Sequence, residues 1–235
     1  MKKVFILLQL FFSIGIAAQP GLYFGSQVPL TYTIGADFKT NYNIAVGMHL
    51  GGIAYPYKEA ILGIMELGGA DETLTNTIGH AFTSGYSMQP ELMYYKNNWK
   101  VGLIYSFFYL RADDTPLNVI DNYYGFNLSD YRLLRFIDNF YYLTLYSELH
   151  CAGIKAGYNF NLPFEGIEIH TDFDFMKIIA SNSYVYRNED EYLDVLSENV
   201  NEKLDYHYLK YGYLPSVNIK ILYRFNFLYK NNTEE

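Results

Sequence analysis

The chain has 235 residues, a formal net charge of −8, a single cysteine, and 19% aromatic residues that include 26 Tyr and 17 Phe. The acidic balance excludes a nucleic-acid partner, whose phosphates need a basic surface. The lone Cys151 excludes an intrachain disulfide framework, and the length suits one domain.

The start reads as an export signal over residues 1–18. Lys2 and Lys3 form a basic end, Val4 to Ile16 form a mostly apolar run, and Ala17 and Ala18 supply the small residues of a cleavage site after Ala18. The run is too short for a membrane anchor, and no later segment reaches the roughly 18 apolar residues of a spanning helix. Residues 19–235 are then one exported domain with a net charge of −10 once Lys2 and Lys3 are removed.

The stretch from Leu22 to Phe38 alternates. Leu22, Phe24, Val28, Leu30, Tyr32, Ile34 and Phe38 fall on even positions; Tyr23, Gln27, Thr31, Thr33 and Asp37 fall on odd ones. A period of two sends the sets to opposite faces of a strand. Read as one strand, this segment is too long for an apolar band, so a crossing over Leu30 to Phe38 is expected, with a bend or bulge near Gln27 to Pro29. A second strand follows the turn at Asn41 to Asn43, with Ile44, Val46, Met48 and Leu50 on one face. The period then becomes helical over Lys58 to Gly69 and Asp71 to Phe82.

Strand character returns over Tyr86 to Tyr95, turns at Lys96 to Asn98, and resumes at Trp99, where Trp99, Val101, Leu103, Tyr105, Phe107 and Tyr109 oppose Lys100, Gly102, Ile104, Ser106 and Phe108. A second insert spans Asp113 to Asn139. Phe140 to Phe160 inverts its hydrophobic phase near His150, which predicts a bulge there. Ile167 to Tyr186 follows, then an acidic insert over Asn188 to Lys203 with an apolar stripe of Tyr192, Leu193, Leu196 and Val200. The helical inserts are thus expected at about 57–84, 113–138 and 187–203. Leu204 to Tyr211 fits strand or helix, and a final alternating strand runs to Phe227. Glycines on strands, such as Gly102 and Gly153, suit a curved, closely packed wall.

The expected fold is all-β: a closed, antiparallel, up-and-down outer-membrane β-barrel of about eight strands with three helical inserts. The competing architecture is a Tyr-rich β-sandwich. Seven strands are clear, and Leu204 to Tyr211 would supply the eighth. In that count both termini lie on the rim of the long inserts. The run Gly21 to Leu30 (GLYFGSQVPL) and the closing Tyr213 to Ser216 (YLPS), with a last strand ending Tyr223 to Phe225, resemble small outer-membrane barrels of Bacteroidota. That resemblance implies a barrel in the cell outer membrane and supplies no functional residue.

The sharpest polar constellation is Glu168, His170, Asp172 and Asp174, which alternate on one face opposite Ile167, Ile169, Phe173 and Phe175. With the apolar face toward lipid, the charges enter the barrel. A hairpin centred on Asn161 to Gly166 would set Lys155 opposite Asp172 and Asn159 opposite Glu168. His with carboxylates suits a divalent ion, but a salt-bridge network with Lys100, Lys155, Lys220 and Arg224 is favoured, because small barrels fill their interiors with side chains. No metal or cofactor is therefore assigned. Ser147 and His150 form the one pair near enough to suggest a hydrolase, and an offset of three points them to opposite faces. No catalytic residue is assigned. The expected role is non-enzymatic: structural, or binding an envelope protein or small molecule through inserts that pack over the mouth as lids. Narrow passage of small or apolar solutes is the alternative, and a lipid hydrolase the third reading. The bilayer itself is the expected partner.

Overall fold

A computed structural model describes residues 18–40, 42–54, 56–67, 82–115, 143–187 and 191–225. The strands are β1 (Ala18–Val28), β2 (Thr31–Thr40), β3 (Ile44–Ile53), β4 (Phe82–Lys96), β5 (Trp99–Thr115), β6 (Leu143–Asn161), β7 (Ile167–Arg187), the two-residue β8 (Glu191–Tyr192) and β9 (Tyr213–Arg224). The helices are α1 (Tyr57–Leu67) and α2 (Asp194–Tyr211). Setting β8 aside, the other eight strands pair antiparallel in the order β6-β5-β4-β3-β2-β1-β9-β7, and β6 pairs with β7 to close the wall. Up to the level of Tyr213, closure leaves no edge along this ladder and lets the strands satisfy their backbone internally, as a lipid environment demands.

The outward faces carry Leu22, Phe24, Ile34, Leu50, Leu92, Val101, Leu103, Ile154, Ile219 and Ile221, all exposed. Aromatic rows bound this band. At one rim Trp99 meets Tyr158 at 5.1 Å, Tyr158 meets Phe160 at 4.8 Å, and Tyr223 meets Phe225 at 4.9 Å. At the other, Tyr86 stacks on Tyr109 at 4.9 Å and Phe175 on Tyr213 at 6.0 Å. Trp99 to Tyr109 on β5 and Tyr213 to Tyr223 on β9 are equal steps along their strands. At about 3.3 Å per residue and about 40° of tilt, each step rises about 25 Å, the height of the apolar band of such barrels. The chain is an outer-membrane β-barrel.

The alternation from Leu22 to Phe38 is two strands, not one. The hairpin pairs Gln27 with Thr31 and Ser26 with Tyr32 around Val28, Pro29 and Leu30. A three-residue loop pairs residues of equal parity, so the alternation passes through the turn without a slip. Only Leu30 breaks it: it sits on the even, outward set, yet at the loop tip it is 3% exposed and packs into the interior. The expected crossing over Leu30 to Phe38 is β2, but Leu22 to Val28 forms a second strand of the wall, β1, and a hairpin turn rather than a bulge joins them.

The split supplies the missing strand, and Leu204 to Tyr211 is the second half of α2 rather than an eighth strand. It also reverses the rim assignment. Ala18, Arg224 and the turns after β2, β4 and β6 share one rim, while α1, α2, the end of β5 at Thr115 and the start of β6 at Leu143 lie at the other.

The wall is uneven. β5, β6 and β7 have 17, 19 and 21 residues, whereas β1, β2, β3 and β9 have 10 to 12. The tall side therefore rises beyond the upper aromatic row, and α2 lines its inner face with Leu196, Val200 and Leu204 against Leu143 and Val185. This explains the phase inversion at His150. The odd residues of β6 face inward above it (Ser147, Leu149) and below it (Cys151, Lys155, Asn159), so the strand does not slip. What changes is the surroundings: apolar beside α2, polar lower down. The extra residue lies on the partner strand at Ile179, since His150 pairs with Ala180 and Cys151 with Ile178.

β9 stops pairing with β7 at Tyr213 and Lys177, and β8 takes up the edge only at Tyr186 and Arg187, which leaves the β7 edge between them without a strand. Side chains of α2 complete it. The Ser183 and Val185 amides donate to Asn201 Oδ1 (2.7 Å) and Ser197 Oγ (2.9 Å), and Ser181 Oγ donates to Asp205 Oδ1 at 2.6 Å. Gly212 then turns the chain into β9, where a Cβ would lie 2.2 Å from Tyr208 O and 2.5 Å from Ile178. Replacing Asn201 or Ser197 with Ala is expected to cost about 1–3 kcal/mol by orphaning a buried amide, read as a lower urea midpoint and faster amide exchange at Ser183 and Val185.

α1 starts against the outer surface of the low wall. The Tyr57 hydroxyl hydrogen-bonds that of Ser26, and its ring lies 4.7 Å from Tyr32, both on the outward set. It is thus not a lid over the mouth at its start, whereas α2 does cover the lumen. The insert expected at 57–84 gives Phe82 onward to β4, that at 113–138 gives Asp113 to Thr115 to β5, and the third continues as helix to Tyr211. Residues 68–81 of the first insert, which carry all but Phe82 of the helix expected over Asp71 to Phe82, residues 116–138 of the second, and the signal segment through Ala17 lie outside the described residues.

Candidate functional site: the ionic lumen

Inward parity on six strands sends charges into the lower lumen. The predicted cluster is there: His170, Asp172, Asp174, Lys155, Lys220 and Arg224 are buried and Glu168 is half-buried. The β6–β7 register is two residues from the expected one. Lys155 pairs with Asp174, and Asn159 with His170, because the Leu162–Gly166 connection closes one position later, with Gly166 at φ 78°. A two-residue shift preserves the face, so Lys155 and Asp172 still share the interior. Gly157 lies opposite Asp172, and a Cβ there would meet the Asp172 carboxylate at 2.1 Å.

The groups form one connected chain. Arg224 grips Asp37 with two hydrogen bonds (3.0 and 3.2 Å) and donates from Nε to Glu168 at 3.0 Å. Glu168 lies 2.7 Å from His170 Nε2, and Lys100 Nζ lies 2.9 Å from His170 Nδ1. An ammonium can only donate, so Nδ1 accepts and the ring proton sits on Nε2, donated to Glu168. Lys100 pairs with Asp172 at 2.8 Å. Lys220 lies 3.7 Å from Asp172, 3.5 Å from Glu91 and 4.5 Å above the Tyr23 ring. Lys155 joins Glu91 and lies 3.6 Å from Asp174, which accepts from Gln27 (3.1 Å) and Asn218 (2.6 Å).

The cluster expected from sequence does not include Asp37, which ends the network at Arg224, or Glu91, which links Lys155 to Lys220. Asp37 is legible on the polar set of the opening alternation. Glu91 is legible only by continuing the inward parity of β4 through Pro90.

Above the ions the filling becomes apolar. Ile104, Phe108, Leu149, Cys151, Met176, Ile178 and Leu30 form a buried cluster, with Tyr208 and Leu209 of α2 and Ile53 and Ile61 packed on it. The lumen is thus filled in two layers, ionic below and apolar above.

Among the described residues no three His, Cys, Asp or Glu side chains converge as a metal site. Ser147 and His150 do not form a dyad. Ser147 faces inward and bonds Ser183 Oγ at 2.9 Å, while His150 lies outside against Tyr105 and Phe107.

No family model matches the chain. No curated protein matches it either. Among solved structures it is similar to a major outer membrane protein from Thermus thermophilus, at 13% identity over 89% of this chain and 100% of that one, with a TM-score of 0.47. It is also similar to CarO2 and CarO of Acinetobacter baumannii, each at 8% identity over 88% of this chain, covering 98% and 97% of theirs, both with a TM-score of 0.35. The barrel is defined by its own closed ladder of strand pairings rather than by these likenesses.

Proposed function

We propose that the chain is a non-enzymatic scaffold of the cell envelope, closed to solutes, whose work is done on the rim of the tall wall. The observation that carries this reading is the double filling of the lumen. Every cation of the lower layer is held by a carboxylate, and the upper layer leaves hydrophobic side chains and α2 across the same axis. An eight-stranded barrel is just wide enough for its own side chains. The ionic cluster therefore acts as a structural plug rather than a ligand site. Partners, whether an envelope protein or a small molecule, then meet the chain at its inserts, since loops on a rigid scaffold commonly carry binding.

Outer-membrane barrels keep short turns on the periplasmic side and long loops outside. Ala18 and Arg224 share the short-turn rim, so the tall wall and α2 face the exterior, and residues 1–18 act as the export signal. Protease applied to intact cells is expected to cut the connections between β3 and β4 and between β5 and β6, while a tag after Glu235 stays protected. Protection of both connections with cleavage of the tag would invert this orientation.

A further inference from the structure

We propose that the outer face of the tall wall, above the upper aromatic row, docks the sugar headgroup of a glycolipid standing beside the barrel. Five strands each give one tyrosine to a continuous stair. Tyr86 of β4 stacks on Tyr109 of β5 at 4.9 Å with 22° between planes, and Tyr109 meets Tyr146 of β6 at 5.6 Å. Tyr146 meets Tyr186 of β7 edge-on at 5.5 Å, and Tyr186 meets Tyr192 of β8 at 5.4 Å. All lie on the face away from α2 and the lumen.

The stair is continuous with the bilayer contact and leaves it. Tyr86 and Tyr109 belong to the upper row. Tyr146 pairs with Arg111, beyond Tyr109 on β5, and Tyr186 pairs with Thr144, farther still along β6. A girdle that only marked the interface would end as one row; this one climbs above the hydrocarbon with lipid at its foot. The layer that occupies that space is the headgroup layer of the neighbouring lipids.

The chemistry of the stair selects a sugar within that layer. Tyrosine rings present flat apolar faces to the C–H faces of a pyranose, and their hydroxyls donate and accept hydrogen bonds. Charge is balanced along the stair. Arg111, 5.7 Å above the Tyr146 ring, is paired with Asp113 at 2.9 Å, and Glu148 lies opposite Tyr109. Among the described residues no cation excess exists there to capture phosphate, so a neutral polyhydroxyl group fits best.

The proposal rests on the orientation above only for the identity of the leaflet, and a micelle assay is blind to orientation. The full chain in detergent micelles would be titrated with lipopolysaccharide carrying its core sugars, with lipopolysaccharide stripped of them, and with free core oligosaccharide. Binding to the first is expected to exceed the second by about tenfold or more, and the double variant Tyr146→Ala/Tyr186→Ala to lose that advantage, as loss of an aromatic anchor does. Tyr146→Phe/Tyr186→Phe should keep most of it. Tyr192→Ala, on the short β8 outside the barrel ladder, keeps the test valid if the double variant fails to fold, and should weaken binding to the first probe alone. Equal binding of sugared and stripped lipid, or unchanged binding by the double variant or by Tyr192→Ala, would overturn the proposal. Free oligosaccharide binding as tightly as the glycolipid would make the occupant a soluble glycan and overturn it too.

Discussion

Lys155→Met is expected to cost about 3–5 kcal/mol, the range for removing one partner of a buried ion pair. Methionine keeps most of the volume of lysine, so the loss reports charge rather than packing. Lys155 is 1% exposed, joins Glu91 directly and lies 3.6 Å from Asp174. Without it Glu91 retains Lys220 at 3.5 Å, but Asp174 is left with the neutral donors Gln27 and Asn218. Urea unfolding of the folded barrel in micelles measures the effect. Adding Asp174→Asn should recover part of the loss, because it removes the stranded charge. A midpoint for Lys155→Met equal to the parent's would mean that the ionic layer does not hold the barrel together.

Phe108→Ala should be about as damaging, at roughly 3–5 kcal/mol for truncating a buried phenylalanine. Phe108 is 3% exposed and packs among Ile104, Leu149, Met176 and Ile178 beneath α2. Its second expected result separates the two layers. The cavity lies above an intact ionic layer, so the variant should still pass no steady current in a planar bilayer. A steady current from this single substitution would show that the apolar layer alone seals the lumen.

Much of this architecture was legible because lipid outside and ions inside impose a period of two on nearly every strand. The inward charges of β7 and their partners Lys100, Lys155, Lys220 and Arg224 followed from that parity alone. Parity was also the source of the miscount. The turn at Val28 to Leu30 preserves it, so two strands read as one, and the error moved both termini to the wrong rim. The inversion at His150 failed for a different reason. Hydrophobic phase reports what a face touches, and on β6 the inward side changes from ions to α2 while the strand runs on unbroken. On β7 the extra residue at Ile179 was hidden among apolar neighbours. The register of Lys155 against Asp174 depends on where the turn before Ile167 closes, which composition does not fix. Residues 204–211 read ambiguously because Leu204, Tyr208 and Leu209 face the tall wall while Tyr206 and Tyr211 lie exposed, a pattern too short to separate a period of two from 3.6.

Single-channel recording of the unmodified chain in planar lipid bilayers tests the central claim most directly. A lumen filled by the Asp37-to-Asp174 ion network and closed above by the Phe108 layer predicts insertion without a steady open current. A reproducible open level, with conductance that scales with salt, would contradict a closed scaffold and establish a narrow solute path through the barrel.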